Sequence, residues 1–388
     1  MMYFFDFKMP AKTLCIDGGA GKLGKVMDKL GGSRVLIVTD EGIRKVGLVE
    51  QVTGGFDRGG AQVVAVFDTV PPDPGVSTIE ACAAVARESG ADCVISIGGG
   101  SSIDTAKATL IRLCEKGDLL DYEWNEYFAS GPILPHVAIP TTAGTGSEAT
   151  HVAMITDEAR NRKLMYQGAD LTPRVAVLDP RMTVSLPAHL TASTGMDALT
   201  HAVEAIHSTW HQPMTDGLAL QAVELIATYL EAAFSDGSDT FARMNMLLAA
   251  NMGGIAASNA FIGIVHATAH PIGALCHVSH GHAVGVMLPY AMEMNLEYEG
   301  VPARYKKLAH AFGLQVEADD DVTASRKAIG RIREMIARMG LPRCLRDLEI
   351  PESDLEALTD EAMEDRAMMV TPGNPTRDDV KALFRRAY

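Results

Sequence analysis

Four histidines, His266, His270, His277 and His280, fall within fifteen residues of the stretch GIVHATAHPIGALCHVSHG at 263–281, a third of the twelve in the chain. Imidazole is the commonest side-chain metal ligand. Upstream, TGMDALTH at 194–201 sets Asp197 and His201 four residues apart, a spacing that stacks both side chains on one helix face. Asp197, His201 and two of the later histidines are therefore expected to hold one divalent metal. His266 and His270 form a second pair at helical spacing, and Pro271 behind them either kinks that helix, swinging His280 back towards His266, or ends it. Cys276, four residues before His280, is an alternative soft donor that would favour Zn²⁺. Spacing alone leaves the choice of donors open.

A second kind of chemistry is written in glycines. GAGKLG at 19–24 has the G-x-G-x-x-G form of a dinucleotide-binding turn, with Asp40 sixteen residues beyond it. GGGSSIDTAK at 98–107 follows the apolar run 93–97 and opens a helix for which Ser101 or Ser102 is the expected N-cap. Gly98, Gly99 and Gly100 let a backbone approach a pyrophosphate, and a helix N-terminus offers N–H donors and a favourable dipole. The second turn is thus the expected phosphate cradle. Asp40, at the end of the strand 35–39, is placed to bind ribose hydroxyls and to repel a 2′-phosphate, which favours NAD over NADP. It also reads as the N-cap of a helix starting at Glu41. The loop PTTAGTGSE at 140–148 concentrates further hydroxyl and N–H donors after a strand.

The elements that must position these residues change character midway. Up to about residue 179, short apolar runs (13–16, 35–39, 63–67, 93–97, 137–139 and 175–178) alternate with helical stretches. That is the pattern of an α/β domain whose mostly parallel, Rossmann-like sheet is covered on both faces. Beyond Asp179-Pro180 helical periodicity takes over, with helices expected at 213–234, 240–260, 263–276, 281–297, 303–312, 324–339, 352–365 and 377–386. We divide the chain into an α/β dinucleotide-binding domain, 1–183, and an all-α metal-binding and substrate domain, 184–388. At 388 residues with 47% apolar composition, the chain is long enough for two cores and too apolar for disorder. Its net charge of −15, spread along the sequence, argues against nucleic acid. The N-terminal MMYFFDFKMP lacks the basic and apolar regions of a signal peptide, and no uninterrupted apolar run approaches the ~20 residues of a membrane span, so no membrane association is expected. Six scattered cysteines without a C-x-x-C pair suit a reducing, cytoplasmic setting.

Taken together, GGGSSIDTAK at 98–107, PTTAGTGSEAT at 140–150, TGMDALTHAVEA at 194–205 and GIVHATAHPIGALCHVSHG at 263–281 resemble the iron-dependent (group III) alcohol dehydrogenases, which include lactaldehyde reductases and 1,3-propanediol dehydrogenases. The resemblance runs over nearly the whole chain. It implies a dehydroquinate synthase-like two-domain architecture and a metal-dependent NAD(P) alcohol dehydrogenase or aldehyde reductase acting on a small primary alcohol or diol. The metal ligands it implies are Asp197, His201, His266 and His280, with Fe²⁺ as the metal and Zn²⁺ or another divalent ion as substitutes. It assigns His270 to the proton transfer near the substrate. It chooses Gly98, Gly99, Gly100 and Ser101, with Asp104 in the same motif, for the pyrophosphate, and Thr141, Thr142, Thr145 and Lys163 for the rest of the cofactor. A homodimer or larger assembly is implied by N-terminal segments that pair between subunits. His151, directly after the third-loop motif, departs from the family's pattern. Alternatives on the same scaffold are a glycerol dehydrogenase-like or maleylacetate reductase-like enzyme. From a different class comes a non-catalytic metal or nucleotide sensor, which fits poorly with a full cofactor loop beside a full ligand set.

Overall fold

The computed structural model describes residues 5–56, 60–123, 133–160 and 162–388. The first four residues of the N-terminal segment expected to pair between subunits lie outside this set. Two compact units emerge, Lys8–Leu186 and Pro187–Tyr388, residues 5–7 belonging with the second.

In the first unit each of the six apolar runs forms a strand: β1 (Lys12–Cys15), β2 (Arg34–Val38), β3 (Gln62–Phe67), β4 (Cys93–Gly98), β5 (His136–Pro140) and, after a hairpin, β8 (Val175–Leu178). They make one parallel sheet in the order β1-β8-β5-β4-β2-β3. The runs are apolar throughout because alternate residues serve opposite cores. Val35 and Ile37 face one cluster with Ile95, Ile97 and Val137, while Leu36 and Val38 face another with Val94 and Leu110. The helices of this unit are α1 (Gly24–Leu30), α2 (Glu41–Lys45), α3 (Leu48–Thr53), α4 (Val76–Ser89) and α5 (Gly100–Cys114). From β2 the chain runs outward to β3, then returns through α4 to β4 on the other side of β2. The sheet's switch point therefore lies between β2 and β4, where Thr39 Oγ1 donates to the Ile97 carbonyl at 2.7 Å.

The antiparallel hairpin β6 (Val152–Asp157) and β7 (Arg162–Gln167) is absent from the sequence reading. Its inward residues, Ala153, Ile155, Leu164 and Tyr166, pack with Ile79, Ala108 and Ile111. Ala153 is small and Arg162, Lys163 and Gln167 are polar, so neither strand shows a strong alternation of its own.

The second unit is helical: α6 (Ala188–His207), α7 (Pro213–Ser235), α8 (Thr240–Ala260), α9 (Ile264–Cys276), α10 (His280–Asn295), α11 (Val301–Ala311), α12 (Asp321–Arg338), α13 (Leu355–Glu364) and α14 (Arg377–Ala387). α6 is its axis, and three glycine contacts let neighbours close on it. A Cβ on Gly195 would stand 2.2 Å from Leu230 Cδ1 on α7, one on Gly253 of α8 3.1 Å from the Ala198 carbonyl, and one on Gly281 of α10 2.5 Å from the Ser193 carbonyl. α7 is the one helix among the described residues long and apolar enough by composition to cross a membrane unbroken, yet it packs here against α6 and α8. None of the six cysteines forms a disulfide.

Candidate metal and cofactor sites

Asp197 and His201 project from α6, and α9 and α10 bring His266 and His280 to them. The turn that returns α10 differs from the expectation at Pro271. That proline lies inside α9, which runs on to Cys276. His277 closes the helix in the left-handed conformation (φ 56°, ψ 29°), and α10 begins three residues later. The reversal thus belongs to His277.

Asp197 Oδ1 lies 3.4 Å from His280 Nε2, 3.6 Å from His201 Nδ1 and 3.7 Å from His266 Nε2. Donors about 2.1 Å from a shared ion in tetrahedral array stand about 3.4 Å from one another. Asp197 Oδ1, His201 Nδ1 and His266 Nε2 are buried and lack a hydrogen-bond partner, although all three point into one space. Buried polar atoms left this way are costly unless something fills the space between them. A divalent cation does so, and three imidazoles with one carboxylate suit iron or zinc. The pocket opens beside His280, whose side chain is 38% exposed against 12% or less for the other three.

Around these donors lies a shell that the sequence reading missed. His266 Nδ1 donates to Glu204 Oε2 at 2.5 Å, leaving Nε2 for the pocket. His270 Nδ1 donates to Asp365 Oδ2 at 2.6 Å, and its ring lies 5.7 Å from that of His280. Burial alone would lower His266, but Glu204 and Asp197 outweigh it and carry its pKa up to about 9. Burial drives His201 down to about 4. Asp197 is held well below the usual carboxylate range, because His201, His266 and His280 overcome its burial. Glu204 carried a signal, since it sits seven residues after Asp197 on the same face of a buried helix. Asp365, ninety-five residues from His270, carried none.

In the first unit the two glycine turns have different fates. Gly18 N and Ala20 N, at the GAGKLG turn, donate to the two oxygens of Asp179 at 3.1 and 3.0 Å. An internal carboxylate thus occupies the turn's donors. The Gly98–Gly100 turn stands at the switch point and packs against the residues expected beside it. A Cβ on Gly98 would meet Asp40 Oδ2 at 3.6 Å, one on Gly99 Thr142 Oγ1 at 3.2 Å, and one on Gly100 Thr145 Cγ2 at 2.8 Å. Gly99, not Ser101 or Ser102, is the N-cap of α5, and no side chain caps the helix. Ser101 falls in its first turn. No side chain thus claims the N-terminal donors of α5 as a cap, which leaves them available to a pyrophosphate. Asp40 caps α2 through Oδ1, which accepts from Ile43 N at 2.9 Å.

Three of the expected cofactor residues have partners within the fold. Thr141 is buried, its N–H donating to the Gly98 carbonyl at 3.0 Å. Asp104 accepts from Ser147 Oγ and from Met154 N. Lys163, on β7, pairs with Asp73 at 2.5 Å and with Thr156 at 3.1 Å. Lys107, fully buried on α5, donates to Ser147 Oγ, Thr150 Oγ1 and the Val152 carbonyl, and burial lowers its pKa to about 8. Asp104 and Lys107 thus fasten the glycine helix to the Thr/Gly loop and β6.

The chain is similar to known proteins over its whole length. The family model described as iron-containing alcohol dehydrogenase matches residues 10–180, and that described as Fe-containing alcohol dehydrogenase family, C-terminal, matches 191–388. An NAD-dependent methanol dehydrogenase of Bacillus methanolicus is 35% identical over 382 residues, spanning 98% of this chain and 99% of the relative. A 1,3-propanediol dehydrogenase of Klebsiella pneumoniae is 35% identical over 386 residues, spanning 99% of each. The crystal structure of a 1,3-propanediol oxidoreductase superposes with a TM-score of 0.95 at 35% identity, covering 100% of both chains. Fold and matches together define a metal-dependent oxidoreductase acting on alcohols. The chain belongs to the iron-containing alcohol dehydrogenase family.

Proposed function

We propose that this enzyme interconverts a small primary alcohol or diol and its aldehyde, with NAD as hydride acceptor and Fe²⁺ held by Asp197, His201, His266 and His280. Residues 1–183 bind the dinucleotide and 184–388 bind metal and substrate. The observation that carries the reading is the convergence of Asp197 Oδ1, His201 Nδ1 and His266 Nε2, all buried and without partners, on one space. Relatives named for methanol and 1,3-propanediol support a small alcohol or diol.

When bound, the divalent cation polarises the alcohol oxygen and lowers its pKa. The residues around it do the remaining work. Asp365 fixes the His270 ring by accepting from Nδ1, so that Nε2 is the atom that takes and returns the alcohol proton. The uncapped N-terminus of α5, with Gly98, Gly99, Gly100 and Ser101, receives the pyrophosphate. Asp40 receives ribose hydroxyls through Oδ2, and Thr142 and Thr145 line the loop opposite. Thr141, Asp104 and Lys163 act behind this surface by holding its shape. We extend the proposal to a cytoplasmic homodimer or larger assembly, on the strength of the family resemblance and the absence of disulfides.

The experiment is metal analysis of anaerobically purified protein beside a His280→Ala variant, with a panel of primary alcohols, diols and aldehydes. The variant should lose bound metal and alcohol oxidation while still binding NAD. Full metal stoichiometry in the variant refutes the ligand set.

A further inference from the structure

Glu204 and His207, the last two charge-bearing residues of α6, are both wholly buried, and neither belongs to the ligand set. A carboxylate inside a helical core costs several kcal/mol unless its oxygens are well satisfied. Both oxygens of Glu204 are engaged by the helix that delivers His266: Oε2 accepts from His266 Nδ1 at 2.5 Å and Oε1 from the Val265 N–H at 2.7 Å. Behind it, His207 Nε2 stands 3.8 Å from Oε1, an electrostatic contact longer than a hydrogen bond, and His207 Nδ1 lies 2.8 Å from the Tyr305 hydroxyl. With Tyr305 donating to Nδ1, the hydrogen of His207 sits on Nε2 and faces the carboxylate. Gly263, just before α9, lets this group close up: a Cβ there would lie 3.4 Å from Glu204 Oε1 and 3.6 Å from His207 Nε2.

We propose that Glu204 is the positioning residue of the metal centre, holding His266 in the tautomer and orientation that aim its Nε2 lone pair at the metal, with His207 and Tyr305 as its support. The inference rests on the ligand set proposed above. Two donors, His266 Nδ1–H and Val265 N–H, converge on Glu204, and a carboxylate accepts both. A glutamine has one acceptor oxygen for them. If its amide N–H₂ faces His266, the ring must present a bare Nδ1, and the hydrogen moves to Nε2, where it blocks the ligand position. If the amide faces Val265, two N–H groups oppose each other. Either arrangement weakens metal binding without removing a ligand. A carboxylate that merely clamped α6 to α9 would leave metal affinity unmoved when replaced by its isostere.

The test compares the wild type with Glu204→Gln, Tyr305→Phe and His266→Ala, each stripped and reloaded with Co²⁺. It reads affinity by chelator competition, the Co²⁺ d–d spectrum, and NAD binding by nicotinamide fluorescence. We expect Glu204→Gln to bind Co²⁺ about 10- to 100-fold more weakly, with shifted d–d bands and wild-type NAD binding. Tyr305→Phe should show a smaller loss in the same direction. Wild-type affinity and spectrum in Glu204→Gln overturn the inference. If that variant does not fold, wild-type values in Tyr305→Phe overturn it. His266→Ala separates the two levels: undiminished affinity there refutes the ligand set itself, whereas its loss beside an unaffected Glu204→Gln refutes only the role of Glu204.

Discussion

Asp40 has two carboxylate oxygens with different surroundings. Oδ1 caps α2, and Oδ2 faces Gly98 at the switch point. Glycine is nearly as good an N-cap as aspartate, so Asp40→Gly should cost only a few tenths of a kcal/mol of stability. The same change removes the charge that repels a 2′-phosphate and the acceptor for ribose. It should raise kcat/KM for NADP relative to NAD by about tenfold or more, the worth of one hydrogen bond to a charged group. An unchanged cofactor ratio, at wild-type thermal stability, would take Asp40 out of the ribose pocket. The candidate residues legible in the sequence are those whose neighbours lie within a turn or a loop of them: Asp197 with His201, His266 with His270, the three glycines in a row. Asp365 was invisible because its partner is fixed only by the packing of α9, α13 and the turn that follows. Asp104 and Lys163 show the converse limit. A motif names such residues without showing whether they face the ligand or the fold behind it.

Among the elements, α6 and α10 meet so closely that one added methyl group reaches the chemistry. The Cβ of Gly281→Ala would fall 2.5 Å from the Ser193 carbonyl and 2.8 Å from its carbon, and neither backbone atom can step aside. Overpacking of this kind costs about 1–3 kcal/mol. Here part of that strain should be relieved by moving the start of α10, and His280 moves with it. We expect the variant to stay folded and to bind metal markedly more weakly, although no ligand is changed; equal Co²⁺ affinity by chelator competition would show that α10 yields elsewhere. The periodicity of the second half places α7 to α14 to within a few residues, helped at some of them by caps such as Asp239, Asp320 and Thr376, whereas α6, uncapped by any side chain, receives no bounds from it. The expected helix bounds place the turn between α9 and α10 correctly, but they do not name His277 as the residue that makes it, because proline is the conspicuous breaker and a histidine in the left-handed conformation leaves little trace in composition. The β6–β7 hairpin was lost for a related reason, its alternation being too weak to stand out from a loop.

For the molecule as a whole, metal and protons compete for the same atoms. His266, carried up to about 9 in the metal-free protein, contributes stability that is complete below its unfolded pKa of about 6.5 and is lost as pH rises through about 9. A metal needs that nitrogen bare, so binding releases a proton at any pH below about 9. Metal affinity should therefore climb between pH 6 and 9 with a slope approaching one proton per ion, measurable by chelator competition in buffers of different ionisation enthalpy; a flat profile would exclude His266 as a ligand. His207, buried and lowered to about 4, works in the opposite direction. It contributes stability above about pH 6.5 that is lost as pH falls towards 4. The change from alternating strands to helices was plain in the sequence, since it is a change of period. The pairing of β1 with β8 was not, because a parallel register has no local signature.

That pairing sets a timetable for synthesis. β1 and β8 are neighbours in the sheet, and the carboxylate that engages Gly18 and Ala20 is that of Asp179, 161 and 159 residues further along. A ribosome adding about 5–20 residues per second needs on the order of ten to thirty seconds to deliver that partner after β1 has been made. Through that interval β1 has neither its neighbouring strand nor the aspartate that will fasten the turn beyond it. Its four residues, the first and last of them exposed even in the finished sheet, offer little for a stray strand to hold while it waits.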